Sequence, residues 1–166
     1  MEHPSNPGRR TVLGAPVAAA ALLSVPAMAQ GGRRAAERPP LAASAEERRI
    51  LAALEEVYRR HRYLSVPEAD GRLLRVLVES IGAKHVVELG TSTGYSGLWI
   101  LLGLARTGGR LTTYEIDRGR HEMARGNFEK AGMLAQVTPV LGDAHEEVKK
   151  VKGPIDLVFI DADKEG

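Results

Sequence analysis

Four acidic sites stand at the ends of apolar runs: Glu88 after Val86-Val87, Glu115 after the run that begins at Arg110, Asp143 after Leu141-Gly142, and Asp161 with Asp163 after Leu157-Val158-Phe159-Ile160. Any one of them alone reads as a solvated loop acid. If the apolar runs are parallel strands, the four sites converge just past the carboxyl ends of those strands, where open α/β sheets hold ligands. Converging carboxylates repel one another. They are satisfied by a cationic ligand, hydroxyl groups, amide donors or a metal. As a set, they point to a binding or catalytic rim.

The stretch Val86-Val87-Glu88-Leu89-Gly90-Thr91-Ser92-Thr93-Gly94-Tyr95-Ser96 carries the rest of the signal. An apolar strand runs into an acid, then a Gly-x-x-x-Gly turn, then an apolar helix. Such a turn brings main chain close to a nucleoside-bearing cofactor at the end of the first strand. The spacing differs from the Gly-x-Gly-x-x-Gly of nicotinamide enzymes, because Ser92 stands where the second glycine of that pattern falls. Fewer glycines leave less room for a pyrophosphate at the helix start. A cofactor without phosphates, such as S-adenosylmethionine, suits the turn better. Glu115, at the end of the second strand, is placed to accept hydrogen bonds from both hydroxyls of a ribose. Asp143, after Gly142, is placed to meet the exocyclic amine of an adenine, although Gly-Asp is also a common turn.

These residues need a scaffold, and the pattern of the chain supplies one. Ser44-Ala45-Glu46-Glu47 has the form of a capping box. Ile50, Leu51, Leu54, Val57 and Tyr58 follow at helical spacing, which predicts a helix from Ser44 to Tyr63. Its basic end, Arg59, Arg60 and Arg62, reads as a solvated helix terminus that complements the helix dipole. The helix itself reads as a dimer arm or a pocket lid. A second helix starts at Pro67, buries Leu73, Leu74, Leu77, Val78 and Ile81, and stops at Gly82. Strands are predicted at His85–Leu89, Arg110–Ile116, Gln136–Leu141 and Ile155–Ile160. Between them lie an all-round apolar helix at Leu98–Ala105 with Trp99 in the core, a helix at Arg118–Ala131, and a short helix at Ala144–Val151. Strand and helix alternate throughout. That predicts a parallel sheet with helices on both faces.

Composition narrows the function classes. The chain has 166 residues, enough for one domain, with 23 basic and 21 acidic residues and a net charge of +2. That balance argues against a nucleic-acid surface, and so do the few aromatic residues, 4% of the chain. The absence of cysteine excludes disulfides, thiolate metal sites and a cysteine nucleophile. The first 29 residues form a separate object. Arg9-Arg10 precede Thr11-Val12-Leu13, the apolar run Val17–Leu23, and Ala27-Met28-Ala29 as a small-x-small cleavage site. This resembles a twin-arginine export signal. With Pro16 and Pro26 at its flanks, the apolar run is too short for a stable membrane span. A periplasmic or exported location follows if the signal operates, and a cytoplasmic one otherwise. Residues 30–43 read as a linker, and residues 44–166 as the domain.

Val86–Ser96, Tyr114-Glu115-Ile116-Asp117, Gly142-Asp143-Ala144 and Phe159-Ile160-Asp161-Ala162-Asp163-Lys164 together resemble the cation-dependent O-methyltransferases, which include the catechol and caffeoyl-CoA O-methyltransferases. Ser65-Val66-Pro67-Glu68 and Leu73-Leu74 are similar to that family's approach helix. The resemblance implies an α/β fold, the Rossmann-like doubly wound parallel sheet of the class I methyltransferases. It implies S-adenosyl-L-methionine as methyl donor, a divalent cation such as Mg²⁺, and a small-molecule hydroxyl acceptor of the catechol or phenol type. By resemblance, Glu88, Gly90, Ser92, Gly94 and Ser96 form the turn that lines the methionine part of the cofactor. Glu115 holds the ribose, and Asp143 with Ala144 the adenine. Asp161 is a metal ligand and takes part in catalysis. Lys164 is the base, or the charge that steadies a phenolate.

A phenol, with a pKa near 10, is mostly protonated at neutral pH. A cation bound by two vicinal oxygens, or a lysine whose pKa a nearby cation lowers, would favour the anion. The chain is expected to be an amino-terminal fragment, truncated after the fourth strand, inactive by itself and prone to aggregate through an apolar edge. A homodimer is expected of the full-length protein. Two other functions fit the same residues less well: a nicotinamide-type Rossmann enzyme, and an exported binding module without catalysis.

Overall fold

The computed structural model describes residues 40–61 and 65–162. The leader, most of the linker, Arg62, Asp163 and Lys164 lie outside those residues. The element order is α1 (Ala45–Arg60), α2 (Glu68–Ser80), β1 (His85–Leu89), α3 (Tyr95–Thr107), β2 (Arg110–Glu115), α4 (Arg118–Lys130), β3 (Val137–Leu141), α5 (Ala144–Glu147) and β4 (Leu157–Ile160), with single 3-10 turns at Leu134–Gln136 and Val148–Lys150. The four strands form one parallel sheet in the order β3-β2-β1-β4. Pro139, which cannot donate to a ladder, sits in β3, an edge strand that pairs only with β2 among the described residues. β1 is central, and its first four residues are buried. Burial along nearly its whole length follows from coverage on both faces.

α1 to α4 share one face. Ile50, Leu54 and Val57 of α1, Leu74 and Val78 of α2, the middle of α3 and Phe128 of α4 form one core cluster with Val86, Leu111 and Val137 of the sheet. Every residue from Tyr95 to Leu104 is buried. The helix that reads as apolar all round is therefore enclosed, and Trp99 lies in the core. The second face carries α5 and its 3-10 continuation near β2. Val158 and Ile160 of β4, whose neighbours Leu157 and Phe159 pack against the core cluster, are half exposed.

α2 departs from its predicted burial. Leu73 and Ile81 are more than half exposed and Leu77 more than a third, whereas Gly71, Leu74 and Val78 form the buried line. The cause is close approach. A Cβ on Gly71 would stand 2.3 Å from the Trp99 ring, and one on Gly103 would stand 2.7 Å from Val78. Two glycines let α2 and α3 pack tightly along a narrow seam, and side chains one step off that seam turn outward. Gly71→Ala is expected to destabilise the fold by about 1–3 kcal/mol, the scale of an overpacked core. Urea unfolding followed by tryptophan fluorescence measures it.

α1 is tied down by charge as well as by its apolar stripe. Ser44 Oγ accepts from the Glu47 N–H at 3.0 Å. The Glu47 carboxylate is buried; it accepts from the Ala43 N–H at 3.0 Å, and Arg106 Nε stands 2.8 Å and Arg75 Nη2 3.4 Å from it. Burial alone would raise its pKa. The Ala43 N–H together with Arg106 and Arg75 outweighs burial and holds the carboxyl below the ordinary range. Arg75 also meets Glu79 at 2.7 Å. This network joins α1, α2 and α3, a role that the spacing of charges along α1 does not announce. Arg59 and Arg60 pair with Glu55 and Glu56 on the solvated side, as a helix terminus does.

Strand and helix ends differ from their predicted bounds where polar groups take over. β4 starts at Leu157 because the Asp156 carboxylate instead accepts the N–H groups of Lys84 at 2.7 Å and His85 at 2.9 Å. Those bonds hold Asp156 below the usual carboxylate range. Ile116 leaves β2 and is exposed. The short helix after β3 passes into a 3-10 turn at Val148.

Candidate functional site

A cavity of about 1010 Å³ opens at the carboxyl end of the sheet. The entry to α2 contributes Ser65, Val66, Pro67 and Asp70; the turn after β1 contributes Gly90 and Ser92; the end of β2 contributes Tyr114, Glu115 and Ile116. α4 adds Arg120, the turn after β3 adds Gly142, Asp143, Ala144 and His145, and the exit of β4 adds Asp161 and Ala162. Each comes from a chain segment leaving a strand or entering a helix, as in ligand sites of open α/β sheets.

The β1 turn is shaped by what passes close to it. Gly90 has φ +98°, and a Cβ there would stand 2.8 Å from the main chain of Asp161. The Gly90 and Thr91 N–H groups both donate to the Tyr114 carbonyl, at 3.0 and 2.9 Å. Ser92 is held at φ +49°, a left-handed conformation unusual for a residue with a side chain. The strain has a purpose: it aims the Ser92 N–H at Glu115 Oε2, at 2.7 Å. Asn127 of α4 donates to the Thr93 carbonyl at 2.9 Å and fixes the far side of the turn.

Glu115 is almost fully buried at the cavity wall. Its Oε1 accepts from the Asp117 N–H at 2.9 Å and lies 3.3 Å from Arg120 Nη2. Asp117 caps α4 through the Arg120 N–H at 2.8 Å. Asp143 caps α5, and its Oδ1 accepts from the His145 N–H at 2.9 Å and stands 3.0 Å from the His145 ring. The His145 N–H and then its ring hold the Asp143 carboxyl low. Asp161 continues the β1 ladder, donating its N–H to the Leu89 carbonyl at 2.9 Å.

Gly90, Ser92, Glu115, Asp143, Ala144 and Asp161 thus meet around one cavity. Glu88, Gly94 and Ser96 do not line it. Glu88 lies beneath the turn, fully buried, accepting from Ser96 Oγ and from Thr113 Oγ1, both at 2.6 Å. A further hydroxyl, Thr91 Oγ1, bonds Thr113 Oγ1 from above. Burial pushes the Glu88 carboxyl up to about 7 against the two hydroxyl donors, and Asp161 and Glu115 push it the same way. Gly94 faces the Phe128 ring, 3.0 Å from where its Cβ would be, so its smallness serves packing. Lys164 lies outside the described residues. α1 contributes no residue to the cavity wall, and its apolar stripe packs into the core. The lining residues Ser65, Asp70, Tyr114, Ile116, Arg120 and His145 carry no role in the sequence analysis. Only Arg120 has a readable signal, its place three residues after a helix-capping aspartate. Among the described residues, no group of three or more His, Cys, Asp or Glu gathers as a metal ion needs.

The O-methyltransferase family model matches residues 41–166, a span holding every element of the fold and the whole cavity. The chain belongs to the O-methyltransferase family. Among its relatives, a catechol O-methyltransferase of Niastella koreensis is 38% identical over 105 residues, which are 61% of this chain and 47% of that protein. A catechol O-methyltransferase of Mycobacterium tuberculosis is 40% identical over 103 residues, 61% of this chain and 46% of that protein. The solved structure of an O-methyltransferase from Bacillus cereus in complex with SAH matches with a TM-score of 0.64 and 34% identity, covering 68% of this chain and 55% of that one. The chain spans about half the length of the curated relatives it matches. Family membership sets aside the nicotinamide-enzyme alternative.

Proposed function

We propose that this protein moves a methyl group from S-adenosyl-L-methionine to a hydroxyl of a small molecule, of the catechol or phenol type. One observation carries the reading: Glu115, in an O-methyltransferase, stands at the cavity wall with its carboxylate gripped by the main-chain N–H groups of Ser92 and Asp117. That grip suits the acid for receiving ribose hydroxyls. Gly90 lets the cofactor's methionyl part run against bare main chain. Asp143, oriented by His145 at the cavity wall, is proposed to meet the adenine amine. In the transfer, a C–O bond forms to the acceptor oxygen as the C–S bond breaks, the sulfonium becomes a neutral thioether, and the hydroxyl proton passes to a base. Lys164 is proposed as that base or as the charge beside the phenolate, on the strength of the Asp161-Ala162-Asp163-Lys164 resemblance.

A divalent cation is not supported to the same degree. Hard cations take about six oxygen ligands. Asp161 is the proposed ligand, and the described residues gather no set of three around it. By themselves the described residues do not fit a cation site.

Calorimetry with S-adenosylhomocysteine and with NAD⁺ tests the reading. Binding of the first and not the second is expected, and the reverse would sink it. In the full-length protein, Asp161→Ala is expected to lower turnover about a hundredfold or more, the scale of a lost proton-transfer or positioning group, with S-adenosylhomocysteine affinity nearly intact. If cofactor binds and no hydroxyl acceptor is ever methylated, the non-catalytic binding module replaces the enzyme.

Export through the twin-arginine route is proposed on Arg9-Arg10 and the Ala27-Met28-Ala29 site. A reporter fused after residue 29 should reach the periplasm and stay inside when both arginines become lysine.

A further inference from the structure

Three consecutive residues of β2 grip the turn after β1. The Tyr114 carbonyl accepts the N–H groups of Gly90 and Thr91, at 3.0 and 2.9 Å. Glu115 Oε2 accepts the Ser92 N–H at 2.7 Å. Thr113 Oγ1 meets Thr91 Oγ1. The first grip is main chain on main chain, and the second belongs to the cavity acid. The third joins two hydroxyls of residues that are 0% and 2% exposed and do not line the cavity.

The Thr113 hydroxyl has a second partner, Glu88 Oε2, at 2.6 Å. A hydroxyl has one proton to give. When that proton goes to the Glu88 carboxylate, Thr91 donates to Thr113. When Glu88 carries its own proton on Oε2, both bonds reverse, and Thr91 is held either way. The Thr91 carbonyl accepts from the Gly94 N–H at 2.8 Å. Every polar group of Thr91 is therefore bonded, one residue before Ser92 at φ +49°. A left-handed residue with a side chain persists only where its surroundings over-determine it. The bonds to the Tyr114 carbonyl need only main chain at positions 90 and 91. The hydroxyl pair depends on residue type, and valine at 91 or 113 fills nearly the same space without it.

We propose that Thr113 is a positioning residue for the cofactor: through Thr91 it holds the turn in the conformation that brings the Ser92 N–H onto Glu115. It touches no ligand itself and acts on the acid that does. This rests on the reading above that Glu115 receives the ribose.

Calorimetry with S-adenosylhomocysteine and amide hydrogen exchange by NMR, both on the full-length protein, test it. Thr113→Val should weaken S-adenosylhomocysteine about two- to tenfold, the size of one buried hydrogen bond, and Thr113→Ser, which keeps the hydroxyl, should bind as the parent does. Thr91→Val breaks the same link and leaves Glu88 both of its donors, so it carries the test alone if Thr113→Val does not fold. It should show the same loss. The double valine variant should bind no more weakly than either single one, because both remove one interaction. In the unliganded valine variants the Ser92 amide should exchange faster, by a larger factor than the core amides of α3, which report global opening. Parent-like affinity in Thr91→Val, additive losses in the double variant, no rescue by serine, or a Ser92 amide that only follows the core overturns the proposal. If the Ser92 amide loosens as expected but the parent itself does not bind S-adenosylhomocysteine, the cofactor reading has failed and takes this proposal with it. If the parent binds and the valine variants bind equally well, only the positioning role fails.

Discussion

Gly90→Ala removes adenosyl-ligand binding and costs about 2–5 kcal/mol of stability, the sum of left-handed strain on a residue with a side chain and overpacking against rigid main chain. The clash is with main chain: a Cβ at Gly90 would sit 2.8 Å from the carbonyl of Asp161 and 2.9 Å from the Ala162 nitrogen. Main chain cannot step aside as a flexible side chain does. The exit of β4 must move, and with it the wall of the cavity that Asp161 and Ala162 form. Gly82 is the control. It also has a left-handed φ, +63°, but nothing stands within 4 Å of its Cβ position. Gly82→Ala should cost about 1 kcal/mol from strain alone and leave ligand affinity untouched. Calorimetry and urea unfolding on both variants decide it; equal ligand affinity in the two would defeat the argument.

Glu88→Gln abolishes a pH dependence of stability that the parent protein carries. The Glu88 carboxyl holds its proton in the folded protein up to about pH 7, whereas its ordinary value is 4.5. Between those values the folded protein binds a proton that the unfolded chain has released. Stability therefore falls as pH rises through this window, by about 3 kcal/mol. Above pH 7 the folded protein holds a desolvated carboxylate between Ser96 and Thr113. Glutamine keeps the shape and carries no charge, so the variant should gain on the parent steadily from pH 4.5 to 7 and stay ahead beyond. Glu47 and Asp156, both held low, titrate on the acid side of this window and cancel in the difference between variant and parent. Urea midpoints at half-unit steps of pH measure the effect. Parallel profiles for the two proteins would rule it out.

The alternation of apolar strands and helices is legible in the residues because each element obeys its own period, and the sheet follows from that alternation. The acids at strand ends are legible for the same reason: Glu115 closes β2, Asp143 stands two residues past β3 and Asp161 one past β4, and they meet at the cavity. Depth is what sequence cannot carry. Glu88 belongs to the same row, yet it points beneath the turn, because its register partner Thr113 and the helix residue Ser96 close over it. The pattern of α2 marks an apolar helix but not how narrow its contact is. That depends on Gly71 meeting Trp99, a pairing between residues 28 positions apart. The buried Glu47 cluster is illegible for a similar reason. Its partners Arg75 and Arg106 belong to other helices, and nothing in the spacing along α1 names them. Arg120 is visible only once Glu115 and the α4 cap are seen side by side.

The strand order has a consequence for the chain as it leaves the ribosome. β1 takes β2 on one edge soon after synthesis, but its other edge belongs to β4. The first bonds of that pairing join His85 to Asp156, 71 residues later. At about 5–20 residues per second, the open edge of the most buried strand waits roughly 4–14 s for its partner. During that interval the turn after β1 has no Asp161 beside Gly90, so the cavity takes shape only after β4 has been made. A slow stretch of codons between residues 116 and 156 would lengthen the exposure of β1, and a holding chaperone would be needed most at that point.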